Sequence, residues 1–178
     1  MKKRMLLGAI ALAAMFATSF TSSVTHAATD SARSARHTAI KTHQVLLFMN
    51  EHRTATKYFV VNPTLGDQTG NYLVFADAVY NQDDTKVIGE SDGICMYVSN
   101  ANVECHWDLV FKSGATISVQ GQAVSGATAQ TFSVVGGTGK YSQAQGALYS
   151  RTLQVNGATE YQYTINATVA SSSNVTPS

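Results

Sequence analysis

The sequence lacks any apolar run long enough to span a membrane, keeps no helical periodicity for three turns, and contains only two cysteines. Its charge excess is also missing. Lys2, Lys3 and Arg4, the apolar stretch from Met5 to Phe16 and the small residues around Thr25-His26-Ala27 read as a cleavable export leader over residues 1–27. The 151 residues beyond it carry nine Lys and Arg against eleven Asp and Glu, a net charge of −2. No basic patch survives to bind nucleic acid. No Gly-x-Ser-x-Gly elbow is present, so a hydrolase nucleophile has no obvious seat. What remains is enough chain for one buried core and too little for two.

Export gives the two cysteines meaning. In an oxidising periplasm or extracellular medium Cys95 and Cys105 are expected to pair, whereas two free thiols or half of a metal site would suit a cytosolic protein. A hairpin centred on Asn100 places position 95 opposite 105, 97 opposite 103 and 98 opposite 102, with Ser99-Asn100-Ala101 as its loop. Facing strands of this kind are bridgeable.

Strand signals fill the middle of the chain. Runs rich in Val, Tyr, Phe and Thr cover Gln44–Glu51, Lys57–Val61, Asn71–Tyr80, Val87–Ser99, Asn102–Lys112, Ala115–Ala123, Gln130–Val135, Ala147–Val155 and Glu160–Val169. Turn residues such as Gln82-Asp83-Asp84 and Asn156-Gly157-Ala158 separate them. Tyr161, Tyr163, Ile165, Ala167 and Val169 share one face of the last run, with polar residues opposite. The run after Asn71 is apolar on both faces, which asks for a barrel interior on one side and a subunit contact or cover on the other. The organisation is then a leader (1–27), a flexible arm (28–42), an all-β barrel domain (43–170) and a flexible tail (171–178).

Gly93-Ile94-Cys95, Ser118-Val119-Gln120-Gly121, and above all Gly136-Gly137-Thr138-Gly139-Lys140-Tyr141 followed by Ala144-Gln145-Gly146, resemble the allene oxide cyclase barrel. That superfamily also holds the plant dirigent proteins. The resemblance runs from about Gln44 to Val169. It implies an eight-stranded antiparallel β-barrel with a mostly apolar lumen, assembled as a homodimer or homotrimer, acting on a small molecule without cofactor or metal. The glycine-rich stretch then serves a tight crossing between strands, since no helix follows that could cradle a phosphate.

The same resemblance nominates site residues. The cyclases carry a Glu and, two residues later, an Asn on the first strand; Phe48-Met49-Asn50-Glu51 matches with Phe48 in the acidic position and Asn50 in the amide position. Their second-strand Asn falls on Asp77, which also matches a dirigent aspartate, while the arginine of the dirigent Ala-Arg-Gly is Gln145 here. Asp77 shares a face with Leu73, Phe75 and Val79. Such a carboxylate must find donors or suffer desolvation, so it reads either as an acid–base group or as a side chain tied to backbone N–H groups. Asn50 reads as a lumen amide that orients an oxygen, or as a structurally satisfied Asn. Phe48 and Phe75 would shape the ligand wall. Glu104, His106 and Asp108 alternate along one strand about 7 Å apart, the spacing of a solvated face, and no metal site is expected. The resulting expectation is an exported barrel that binds a small apolar ligand and steers its cyclisation or stereoselective coupling. Its rival is a non-catalytic binding or structural barrel filled by its own side chains.

Overall fold

Short β-branched and aromatic runs cut by turn residues favour hairpins joined in sequence, and this is what forms. A computed structural model describes residues 40–61, 63 and 66–171; the leader, most of the arm and the tail beyond residue 171 lie outside them. Nine strands follow: β1 (Thr42–His52), β2 (Thr56–Phe59), β3 (Tyr72–Asn81), β4 (Val87–Tyr97), β5 (Asn102–Phe111), β6 (Thr116–Val124), β7 (Ala129–Gly137), β8 (Gln145–Val155) and β9 (Ala158–Ala170). A single 3-10 turn, Gly139–Tyr141, links β7 to β8.

All pairings are antiparallel, in the order β1-β9-β8-β7-β6-β5-β4-β3-β2, and β1 also pairs with β3. That last pairing shuts the sheet into a closed eight-stranded barrel. The short β2 occupies the same position around the wall as β1, continuing along β3 where β1 leaves it. The closing ladder is short: β1 and β9 share eleven paired positions, but β1 and β3 share only Met49–His52 against Ala78–Asn81.

The hairpin between β4 and β5 has the expected register, with Cys95 opposite Cys105 and Tyr97 opposite Val103. The cysteines form a disulfide across it, with Cα atoms 4.0 Å apart. Among the described residues no helix is long and apolar enough to cross a membrane.

The glycine-rich stretch is structural. Gly136 and Gly137 end β7, and a Cβ at Gly137 would run into the carbonyl oxygens of Tyr141 and Thr116. The chain can fold back into β8 only because that side chain is missing.

Inward side chains divide the barrel into two halves. Near the β3–β4 turn the lumen is solid: Met49, Val79, Leu109, Ile117, Leu148 and Ile165 are fully buried. Each contributes about 1.5–3 kcal/mol by leaving water. Towards the β4–β5 and β8–β9 turns the lumen opens into a cavity of about 530 Å³. The disulfide lies in this half, where packing is thinner, and it constrains the unfolded chain as well as the hairpin. Replacing both cysteines by serine is expected to lower stability by about 2–3 kcal/mol, read as a reduced urea midpoint. An unchanged midpoint would show that the hairpin needs no cross-link.

Candidate functional site

The cavity floor is built by β1, β3, β4 and β9. Val45, Leu47, Met49 and Glu51 alternate along the inner face of β1, and Glu51 ends that series at the cavity, only 2 % exposed. On β3 the inner series is Leu73, Phe75, Asp77 and Val79, and Asp77 is equally buried. Tyr161 and Tyr163 on β9 complete the floor with their rings near-parallel, centroids 6.3 Å apart.

Two aromatic side chains, Trp107 and Phe132, form the wall and meet edge to face at 4.8 Å. Gly93 stands opposite Trp107 on one side and Phe75 on the other. A Cβ there would collide with the Trp107 Cβ, so the bare backbone lets both aromatic side chains lie over it. The Trp107 Nε1–H is buried and has no hydrogen-bond partner among the described residues. The disulfide sulfurs' residues, Cys95 and Cys105, also line the wall.

Electrostatics at the floor are set by burial. Desolvation raises the Glu51 carboxyl from its ordinary 4.5 to about 7, and the nearby Asp77 charge pushes the same way. Against this, the Tyr163 hydroxyl donates a 3.0 Å hydrogen bond to Glu51 Oε2. Ser91, fully buried beside it, also lowers the value, though its Oγ completes no hydrogen bond of proper geometry. Burial and the Glu51 charge hold the Tyr163 phenol well above its usual range, and burial likewise raises Tyr161.

Asp77 is held differently. Its Oδ1 accepts hydrogen bonds from the backbone N–H groups of Thr54 (2.7 Å) and Ala55 (2.9 Å). The chain between β1 and β2 is thereby clamped to β3, and the Ala76 N–H donating to the Ala55 carbonyl strengthens the clamp. No described residue donates to Asp77 Oδ2, although the side chain lines the cavity.

Of the residues nominated from the sequence, the fold brings Asp77 and Phe75 together in the cavity wall. Phe48 and Asn50 are not there. Both lie on the outer face of β1: Phe48 is 43 % exposed, and the Asn50 side-chain amide donates to the Asn81 and Gln82 carbonyls at the end of β3. The physical reason is the phase of β1. Its inner face carries the odd-numbered residues, and a one-residue shift exchanges the faces of a strand. The carboxylate that the first strand contributes is Glu51, which the motif comparison passed over. Its signal was present as the last member of the Val45-Leu47-Met49 alternation.

Glu104, His106 and Asp108 project from the outer face of β5, and Asp108 is engaged by the Ser118 hydroxyl at 2.6 Å. The described residues that could hold a metal ion lie elsewhere. His52, Asp84 and Glu160 bring three donor atoms within 4.8 Å of one another at the rim of the seam. There His52 Nε2 lies 2.8 Å from Asp84 and 3.8 Å from Glu160, and the ring stacks on Tyr80.

Comparison with known proteins agrees with this fold. The family model for dirigent-like proteins matches residues 42–170. Among solved structures, two pterocarpan synthase dirigent proteins are similar. One, at 16 % identity and TM-score 0.64, covers 79 % of this chain and 92 % of its own; the other, at 17 % and 0.58, covers 74 % and 97 %. A pyocyanin demethylase shares the fold at 17 % identity and TM-score 0.57, covering 67 % of this chain and 98 % of its own. No curated protein is similar enough in sequence to count as a relative.

The raised Glu51 value fixes a pH dependence. Below about pH 4.5 the carboxyl is protonated whether the chain is folded or not; between 4.5 and 7 only the folded form retains the proton. Stability therefore falls as pH rises through that window, by about 3 kcal/mol from this group, and levels off above about pH 7. Glu51→Gln is expected to remove that component, so that urea midpoints at pH 5 and pH 8 lie closer together than in the unmodified protein. An equal fall in both proteins would place the buried proton elsewhere.

Proposed function

This chain belongs to the dirigent-like family, and we propose that it acts as an exported barrel that takes one small apolar molecule into its cavity and steers that molecule's cyclisation or coupling to one stereochemical outcome. The observation that carries this reading is a carboxyl group poised near pH 7 at the floor of an aromatic-walled cavity. The volume, about 530 Å³, is that of a pocket for a small organic ligand, and it argues against a barrel filled by its own side chains.

Reactive intermediates such as quinone methides or strained epoxides react without help. Control then comes from limiting the conformers that can react and excluding water. Phe75, Trp107 and Phe132 fix the plane of a flat ligand. Glu51, populated in both protonation states near neutrality, donates a proton to an oxygen on which negative charge develops or takes one from an attacking hydroxyl. Tyr163 keeps the Glu51 carboxyl oriented through its hydrogen bond. Asp77 presents its second oxygen to the same space and orients the ligand. None of these steps calls on a cofactor.

Export to the periplasm or the extracellular medium is part of the proposal, supported by the disulfide and by the leader read in the sequence. So is association into a homodimer or homotrimer. The outer face of β3 carries Tyr72, Val74, Ala76, Ala78 and Tyr80, and beside it Ile94 and Met96 on β4 are exposed. A face of that composition is suited to a second copy of the barrel.

The test uses a propenylphenol oxidised by a one-electron oxidant, with the products resolved by chiral chromatography. The protein is expected to shift the enantiomer ratio away from 1:1, and Glu51→Gln is expected to slow the guided route about 100-fold and restore a near-racemic product. Racemic product with the unmodified protein would overturn the coupling reading. An unchanged ratio in Glu51→Gln would remove Glu51 from the chemistry.

A further inference from the structure

The cavity is polarised from floor to mouth, and the polarity reads out a class of ligand. Its floor holds two buried carboxyl groups, Glu51 and Asp77. Among the described residues lining it there is one cation, Arg53, which is exposed at the mouth. The Arg53 guanidinium is oriented by its Nε–H, which donates to Thr56 Oγ1 at 3.0 Å. No carboxylate of the described residues lies within ion-pair distance of it, since the ion pairs found there both involve His52. Its terminal N–H groups therefore have no acidic partner among the described residues. The rest of the rim is neutral and rich in hydrogen-bonding groups: Thr56, Ser125, Thr128, Gln130, Gln154 and Thr159.

We propose that Arg53 is a specificity-determining residue that selects flat apolar molecules bearing one anionic group, and seats them with the anion at the mouth and the neutral end against Glu51. Two forces act in the same sense. A planar guanidinium engages a carboxylate or sulfonate through paired N–H donors, and the carboxyl groups of the floor repel an anion that enters first. The clamp from Asp77 to the Thr54 and Ala55 amides sets where the chain following Arg53 runs, so the cation is placed by the same element that closes the barrel. The inference rests on the cavity reading given under Proposed function and adds to it the charge and the direction of the ligand.

Trp107 is the protein's only tryptophan and lies in the cavity wall, so its emission reports occupancy of the lumen itself. The probes are anilinonaphthalene sulfonate and its neutral counterpart phenylnaphthylamine, each titrated at low salt while Trp107 quenching is followed. The sulfonate is expected to bind about tenfold more tightly than the amine. Arg53→Gln is expected to erase that preference while leaving amine binding unchanged, which also shows that the variant is folded. Arg53→Lys is expected to keep part of the preference, because it retains charge without the planar fork. Equal affinities in the unmodified protein, or a preference that survives in Arg53→Gln, would overturn the role of Arg53 while leaving the cavity reading intact. Failure of both probes to quench Trp107 would overturn the cavity reading and this inference together.

Discussion

The barrel closes across a short hydrogen-bonded ladder, and one carboxylate oxygen secures that closure. β1 and β3 share four paired positions before β1 turns away. Asp77 Oδ1 then takes over, accepting from two consecutive backbone amides of the departing segment. Charge-assisted hydrogen bonds of this kind are stronger than neutral ones, and here the accepting carboxylate is buried while the donating segment is exposed. The direction of the β1–β2 segment, the position of β2 along β3 and the location of Arg53 at the mouth all follow from this contact. A residue expected from the sequence to be either chemical or structural is structurally engaged through one oxygen, and its side chain also lines the cavity.

Burying a second carboxyl beside the first has an energetic consequence. Among the described residues Glu51 has no cation within ion-pair distance, and the more distant Arg53 charge offsets its desolvation only in part, so it holds its proton to near neutrality. Tyr163 and Ser91 moderate the effect without cancelling it. An isolated carboxyl in an apolar lumen costs stability at high pH, and a barrel built for rigidity alone would place an aliphatic side chain there, as the neighbouring position Met49 does. That cost in stability is the counterpart of the acid–base role proposed for Glu51.

The fold was largely legible because its information is local. The β4–β5 register came from the nine residues between Cys95 and Cys105, and the inner face of β9 from strict alternation of apolar and polar side chains. Asp77 could be assigned to the face of Phe75 for the same reason, although its role as a ligand-facing acid is a proposal. β1 was harder. Leu46 and Phe48 are as apolar as Leu47 and Met49, so the strand carries no phase of its own, and anchoring it on a short motif put Asn50 and Phe48 in the lumen. Only the pairing with β9 and β3 fixes the phase, and those partners lie far away in the chain. The backbone partners of Asp77 are 22 and 23 residues distant in an irregular segment, which no periodicity could reveal.

The division of the lumen separates two structural demands. Residues such as Ile117, Leu148 and Ile165 form a plug that carries the core, whereas Gly93, Phe75 and Phe132 shape a chamber above it. Replacements in the chamber change volume and polarity without touching the plug, and the plug alone supplies a complete layer of packed side chains. A barrel built on this plan can have its chamber reshaped by successive small steps, each leaving the packed layer beneath it intact.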